Sequence, residues 1–485
     1  MDVGYTPLMQ QRCLIDGVWV SSANGETLEV TDPATNQTIA SVPSLGPDQV
    51  RQAIEAAWNA RRSWAGLAAS ERARFVTALS SLMKRDTERL ARLMTDEQGK
   101  PLAEARGEIT YATSFLDWAA SEGQRVSGEI IPASSSDKRI LVLRQPVGVA
   151  AIITPWNFPS AMITRKLGPA LAMGCPVVIK PAEETPLSAL AIGELALEAG
   201  IPPGVINIVT GNPATIGDTI LDDDRVRKLS FTGSTGVGRL LMSKSSKHLL
   251  RLSMELGGHA PFIVFEDADL DLAVSAAIAC KFRNAGQTCI CANRFFIHER
   301  VAEAFTARFA EAMGGLRVGD GREDGVAVGP LINDAAIEKV EAHVEDARSK
   351  GATVVVGGHR VAVSGRADRF YAPTLITGMN HDMRLSCEET FGPVAPIATF
   401  ASEDEVVEQA NATEYGLAAY FFTRDASRLM RVAESLEYGI VGANDGAPST
   451  AQAPFGGVKH SGFGREGGRY VMDEYSELKY VSWKI

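Results

Sequence analysis

The chain has 485 residues, too many for one hydrophobic core, so two or three domains are expected. Its 45% hydrophobic and 22% charged residues are ordinary for a globular protein, and a net charge of −11 excludes the basic footprint of a general nucleic-acid binder. The longest apolar runs, such as VGVAAIIT, fall far short of a bilayer span, and MDVGYTPLMQQRCLIDG has neither a secretion-signal nor a transit-peptide pattern, so a cytoplasmic location is expected.

A short helix is predicted over 48–61 and a long amphipathic one over 70–98. In the second, Phe75, Val76, Leu79, Leu82, Met83, Leu90, Leu93 and Met94 recur at helical spacing until GKP. From 148 to 265, apolar runs (VAAIIT, PVVIKP, GVINIVTG, VRKLSFTG, FIVFED) alternate with helical stretches near 162–173, 187–199, 213–221 and 236–247. Apolar strands joined by helices imply a parallel, doubly wound α/β sheet covered on both faces. After residue 266 the alternation resumes, with helices near 268–282, 299–314, 334–350, 403–411 and 425–436, and implies a second α/β unit. EIIPASSSDKRILVLRQP (129–146) and the terminal YSELKYVSWKI alternate like exposed strands, a pattern that commonly pairs between subunits.

FTGSTGVGR (231–239) is a Gly-rich turn from a strand into a helix, where backbone N–H groups can meet a phosphate. Its glycines stand at 233, 236 and 238, outside the usual dinucleotide spacing, so a plain tight turn is an equal reading. VVIKPAEETP ends a strand with Lys180 and Glu183; the acid could accept ribose hydroxyls, or the two could be a solvated pair. In TPWNFP the two prolines stiffen Trp156 and Asn157, and a fixed amide can donate to an oxyanion. SMELGGH ends a strand with Glu255, a candidate base if buried and an ordinary strand-end acid if not.

FRNAGQTCICANR holds two of the six cysteines, Cys289 and Cys291. A structural zinc needs about four ligands. Cys-x-Cys supplies two and the seven histidines add no ligand pair, so no metal is expected. A disulfide across one residue is strained and suits a reversible event better than a staple. A thiolate nucleophile remains. With a Glu base and a dinucleotide fold, it suggests oxidation through a thioester.

TPWNFP, FTGSTGVG, MELGGHAP, GQTC, EETFGPV and PFGGVKHSGFGREGG stand in one order along the whole chain, and together they resemble the aldehyde dehydrogenase superfamily. FRNAGQTCICANR, ITRKLGPALAMGCPVVIKPA and EYGIVGAN look most like its succinate-semialdehyde dehydrogenase branch. The resemblance implies a Rossmann-like NAD(P)-binding domain (1–128 and 147–257), a catalytic α/β domain (258–456) and a β-strand oligomerisation flap (129–146 and 457–485), in a homotetramer or homodimer. It implies that Cys289 attacks the aldehyde, that Asn157 and the Cys289 N–H hold the oxyanion, and that Glu255 activates the hydrolytic water. Trp156, Asn157, Lys180, Glu183, Gly233, Ser234, Leu256, Glu389 and Phe391 would line the cofactor site, with Glu389 on the nicotinamide ribose. Arg165, Arg283 and Ser449 match the branch's grip on a distal carboxylate. Paired guanidiniums suit an anion, although either could instead serve a structural acid.

Three departures shape the expectation. Glu183 favours NAD, with NADP left possible by Lys180. Ala447 and Pro448 ahead of Ser449 alter the substrate loop, and His460 adds a donor expected near the pocket mouth. The expected substrate is succinate semialdehyde, with sulfolactaldehyde or glutarate semialdehyde as alternatives. One methylene discriminates by only about 1–3 kcal/mol. Cys291 is a candidate redox partner of Cys289, or a small packing residue. A ligand-binding oligomer without catalysis would be favoured only by loss of Cys289, Glu255 or Asn157, and all three are present.

Overall fold

The computed structural model describes residues 11–485. Residues 1–10 of the stretch read for a targeting signal lie outside the described residues. None of the helices described is long and apolar enough to cross a membrane.

Five strands form the parallel heart of the first sheet, in the order Arg251–Glu255, Val226–Thr232, Val149–Ile153, Val177–Lys180 and Ile206–Ile208. Every residue of Val149–Ile153 is buried, as a strand with helices on both faces must be. Its period of two divides the load: Ala150 and Ile152 enter one apolar cluster, Val149, Ala151 and Ile153 the opposite one. The chain runs outward from this strand in one direction, then returns to build Val226–Thr232 on its other side. That reversal opens a crevice beyond Ile153 and Thr232, the usual ligand position in such sheets.

The second sheet runs Thr353–Val356, Thr374–Thr377, Val394–Phe400, Ala292–His298, Ala260–Val264, Ala418–Phe422 and Ile440–Ala443, parallel except for its first strand. A third sheet pairs Ser476–Lys484 with Lys138–Pro146 and the latter with Glu129–Ile131, joining the two segments expected to act together. It exposes Ile130, Leu478, Tyr480 and Trp483.

Three elements depart from expectation. The helix predicted over 70–98 is two, Ala69–Arg85 and Thr87–Gln98. Asp86 leaves helical geometry (φ −96°, ψ 17°) with its carboxylate held by Arg85 and Arg89, while the Thr87 hydroxyl donates to the Lys84 carbonyl; such local bonds compete with the helix ladder. A helix not anticipated, Leu102–Glu122, packs its buried Phe115 and Leu116 against the helix Ala161–Met173. Finally, 457–485 is not wholly a flap segment. Gly462–Phe463 adds an antiparallel edge strand beside Met254 and Glu255. Gly462 has φ +105°, and a Cβ there would lie 1.9 Å from the Met254 carbonyl oxygen.

Candidate active site

Cys289 follows a loop that L-residues adopt only under constraint. Asn284, Ala285 and Gly286 are all left-handed (φ 52°, 55° and 76°), a conformation costing about 1–2 kcal/mol for each non-glycine residue. Buried hydrogen bonds hold it. The Asn284 N–H donates to Glu104 at 2.7 Å, and its side chain bonds Gln98 and the Asn157 carbonyl at 2.9 Å each. The Asn157 amide nitrogen donates to the Gln287 carbonyl at 3.0 Å, two residues before Cys289. Its Oδ1 is buried with no partner among the described residues. Lys100 bonds the Asn157 carbonyl at 2.7 Å and pairs with Glu108, which accepts from the first N–H groups of the helix Ala161–Met173. Thus the unanticipated helix braces the Asn157 loop.

On the far side of Cys289 is Gly258. A Cβ at that position would stand 2.4 Å from the Cys289 carbonyl oxygen, so only glycine permits this approach. Burial pushes the Cys289 thiol up to about 12; Arg165 and Arg283 pull against it, and Glu389 and Glu255 add to it.

Glu255 ends its strand between Thr232 and Gly462. It is 2% exposed, and neither carboxylate oxygen has a hydrogen-bond partner among the described residues. Burial, then the nearby Glu466, raises its proton affinity well above the usual carboxylate range; Lys166, Arg165 and Arg465 oppose the shift. Glu466 is itself buried, paired with Lys166 and, at 3.1 Å, with Arg165. Neither Lys166 nor Glu466 was anticipated. The visible signals were a lysine inside an apolar helix and an acid within a glycine-rich loop.

The crevice beyond the first sheet suits a dinucleotide. Gly233 leads into the helix Thr235–Ser245, with Ser234 as its cap accepting from the Val237 N–H. The Thr154 and Thr232 hydroxyls, at the strand ends, are buried without partners among the described residues. Lys180 and Glu183 pair at 2.8 Å. Leu256 packs beneath Gly238. Glu389 accepts from the Gly258 N–H at 3.1 Å, and burial lifts its carboxyl to about 7. Trp156 and Phe391 meet edge to face at 5.5 Å, with Phe391 left-handed at φ 57°.

A cavity of about 320 Å³ opens beside Thr288 and Ile290, which flank Cys289, and is lined by Arg283, Ser449, Tyr111, Glu104 and Phe158 among others. This lies at the small end of small-molecule sites, which run from about 300 Å³ upward. The Arg283 guanidinium lies over the Phe158 ring at 5.0 Å and makes no ion pair among the described residues. Glu104 faces the same space, its carboxyl lifted by burial to about 6. Arg165 is 1% exposed, paired with Glu466 and packed over the Phe455 ring at 4.0 Å, and it donates at 3.3 Å to the phenol oxygen of Tyr111, which lines the cavity. His460, expected near the mouth, is placed differently: its imidazole bonds Glu414 and Arg239, because an exposed acid and guanidinium lie closer. Cys291 is fully buried with its sulfur 3.3 Å from Lys281 Nζ, and both it and Cys289 are free thiols. A larger hollow of about 900 Å³, between the helix Glu299–Gly314 and the second sheet, contains none of the expected site residues.

The arrangement brings together a thiol, an amide, a carboxyl of raised proton affinity, a crevice that suits a dinucleotide and a cavity that holds one guanidinium. Comparison with known proteins agrees with it. The sequence pattern of the aldehyde dehydrogenase family matches residues 19–481. The chain is 52% identical over 481 residues to an NADP(+)-dependent succinate-semialdehyde dehydrogenase of Escherichia coli, covering 99% of each. It is 53% identical over 474 residues to a 3-sulfolactaldehyde dehydrogenase of Pseudomonas putida, covering 98% of this chain and 97% of that one. Its fold is similar to the crystal structure of a succinate-semialdehyde dehydrogenase from Burkholderia pseudomallei, with a TM-score of 0.98, 52% identity and 100% of both chains covered. The chain belongs to the aldehyde dehydrogenase family and is an NAD(P)-dependent oxidoreductase of aldehydes.

Proposed function

We propose that the substrate is a short aldehyde with an anionic tail, succinate semialdehyde first, with sulfolactaldehyde and glutarate semialdehyde as the nearest competitors. The observation that carries the reading is Arg283, a guanidinium without an ion pair among the described residues, in a cavity that reaches Thr288, the residue before Cys289. Relatives that are named for the first two aldehydes support it.

In this reading Cys289 gives up its proton to solvent water and its sulfur bonds to the aldehyde carbon. The resulting oxyanion accepts from the Asn157 amide and the Cys289 N–H. Trp156, Lys180, Glu183, Gly233, Ser234, Leu256, Glu389 and Phe391 would hold a dinucleotide, which would supply the acceptor for the hydride that leaves this carbon, so that a thioester would remain on Cys289. Glu255 takes a proton from water, the oxygen attacks the thioester, the C–S bond breaks, and the free acid leaves.

The preferred cofactor is NAD, because Glu183 can accept the ribose hydroxyls and would repel a 2′-phosphate. The NADP(+)-dependent relative makes a parallel assay with both cofactors the direct check. The exposed apolar side chains of the third sheet support assembly into a homodimer or homotetramer. Six unpaired cysteines suit a cytoplasmic setting.

The test is kcat/KM for the three anionic aldehydes against butyraldehyde. A charge-assisted contact to the tail should favour the anions by on the order of 10–100-fold. Equal or better use of butyraldehyde would sink the anionic-tail reading. A second expectation concerns pH. Glu466→Gln removes a negative neighbour of Glu255 and frees two cations to it, and both changes favour the ionised base. The acidic limb of kcat should move to lower pH by about one unit. An unmoved limb would mean that Glu255 does not set it.

A further inference from the structure

We infer that the base of the first sheet carries a second binding site, built by Arg61, Arg62 and Arg227, for a small molecule bearing two linked phosphate groups. A pocket of about 300 Å³ lies there, lined by the three arginines with Trp58, Pro146 and Gly148 among others, and no acid lines it. It stands where the strands Val149–Ile153 and Val226–Thr232 begin, whereas the dinucleotide crevice lies beyond the ends of the same strands. At roughly 3.3 Å per residue, the first of these strands alone separates the two places by about 13 Å.

Trp58, Arg61, Arg62 and Ala65 recur at i, i+3, i+4 and i+7 on the helix Pro47–Gly66, so they share one face. The Arg61 guanidinium stacks on the Trp58 ring at 3.4 Å and donates through Nη1 to the Trp58 carbonyl. A guanidinium held on a ring keeps its other edge donors for an oxyanion. Arg227 comes from the sheet. It is the extra residue where two strands slip in register, since Val226 faces Val149 and Lys228 faces Ala150. Such a bulge re-aims a side chain. The stem of Arg227 passes Gly148, which has φ +118°, and a Cβ there would lie 3.0 Å from Arg227 Cγ. None of the three arginines has an ion pair among the described residues, in a chain with 59 acids against 48 bases. Partial desolvation, then repulsion from Arg62 and Arg227, lowers the proton affinity of Arg61. Like charges gathered without an acid repel, and a bound anion would offset that repulsion. A single carboxylate occupies one guanidinium fork, whereas two linked phosphates present oxygens enough for all three.

The test is calorimetric titration of inorganic pyrophosphate into the full chain, with its preferred dinucleotide, NAD or NADP, already saturating so that the crevice is filled. One pyrophosphate should bind per chain, and sulfate should bind at least about tenfold more weakly. Arg227→Gln should weaken pyrophosphate about tenfold, and Arg61→Gln combined with Arg227→Gln about a hundredfold. Neither change touches the reaction site, so kcat and the unfolding midpoint without pyrophosphate should match the parent's. A parallel titration with ADP tells a free pyrophosphate from a nucleotide's, the tighter of the two naming the source. No binding by the parent, or undiminished binding by the double variant, would overturn the assignment. Sulfate binding as tightly as pyrophosphate would overturn the two-phosphate reading. A changed subunit number in the variants by light scattering, with no pyrophosphate bound by the parent, would make the arginines a subunit contact instead.

Discussion

Replacing Cys289 by alanine is expected to abolish NADH formation, lowering kcat by on the order of 10⁴–10⁶. The size follows from its place in the site. Among the described residues the one other thiol beside the cavity is Cys280, whose sulfur is buried and directed at the Ile290 carbonyl. The loss should be chemical rather than structural. The loop is held by Asn284, Gln287, Glu104 and the close approach of Gly258, and none of these contacts uses the Cys289 sulfur. The unfolding midpoint should therefore stay within about 2 °C of the parent. Steady-state assay with a thermal melt checks both. Residual activity above about one per cent would move the nucleophile elsewhere.

Glu255→Gln is expected to separate the two halves of the reaction. The amide keeps the shape of the carboxyl but cannot take a proton from water, so deacylation should slow by about 10²–10⁴-fold. Acylation needs no proton acceptor at that position in the proposed mechanism, so rapid mixing should still show about one NADH per active site before turnover stalls. If the burst disappears as well, Glu255 also serves the Cys289 thiol. Because burial and Glu466 raise the proton affinity of Glu255, activity of the parent should climb as pH rises through the range where this carboxyl ionises.

Much of the architecture was legible because it is written in short-range periodicity. The buried strands Val149–Ile153 and Ala260–Val264 are continuous apolar runs, and the glycine turn at 233 sits where a parallel strand meets its helix. The helix Leu102–Glu122 escaped notice because its working face mixes Glu104, Glu108 and Tyr111 with small residues, so no clean apolar stripe marks it. What a polar side chain touches was less legible still. Lys166 and Glu466 are 300 residues apart in the chain and meet inside the protein. Nothing near Arg165 announces that Glu466 will claim it, and nothing near His460 announces Glu414. Ion pairs formed by long-range folding carry no local pattern, whereas strands and turns do.

Arg165 touches both Tyr111 and Glu466, and Glu466 adjoins the carboxyl of Glu255. One buried cation therefore joins a phenol and two acids in a single network, and a proton taken up by Glu466 leaves more of that positive field to Glu255.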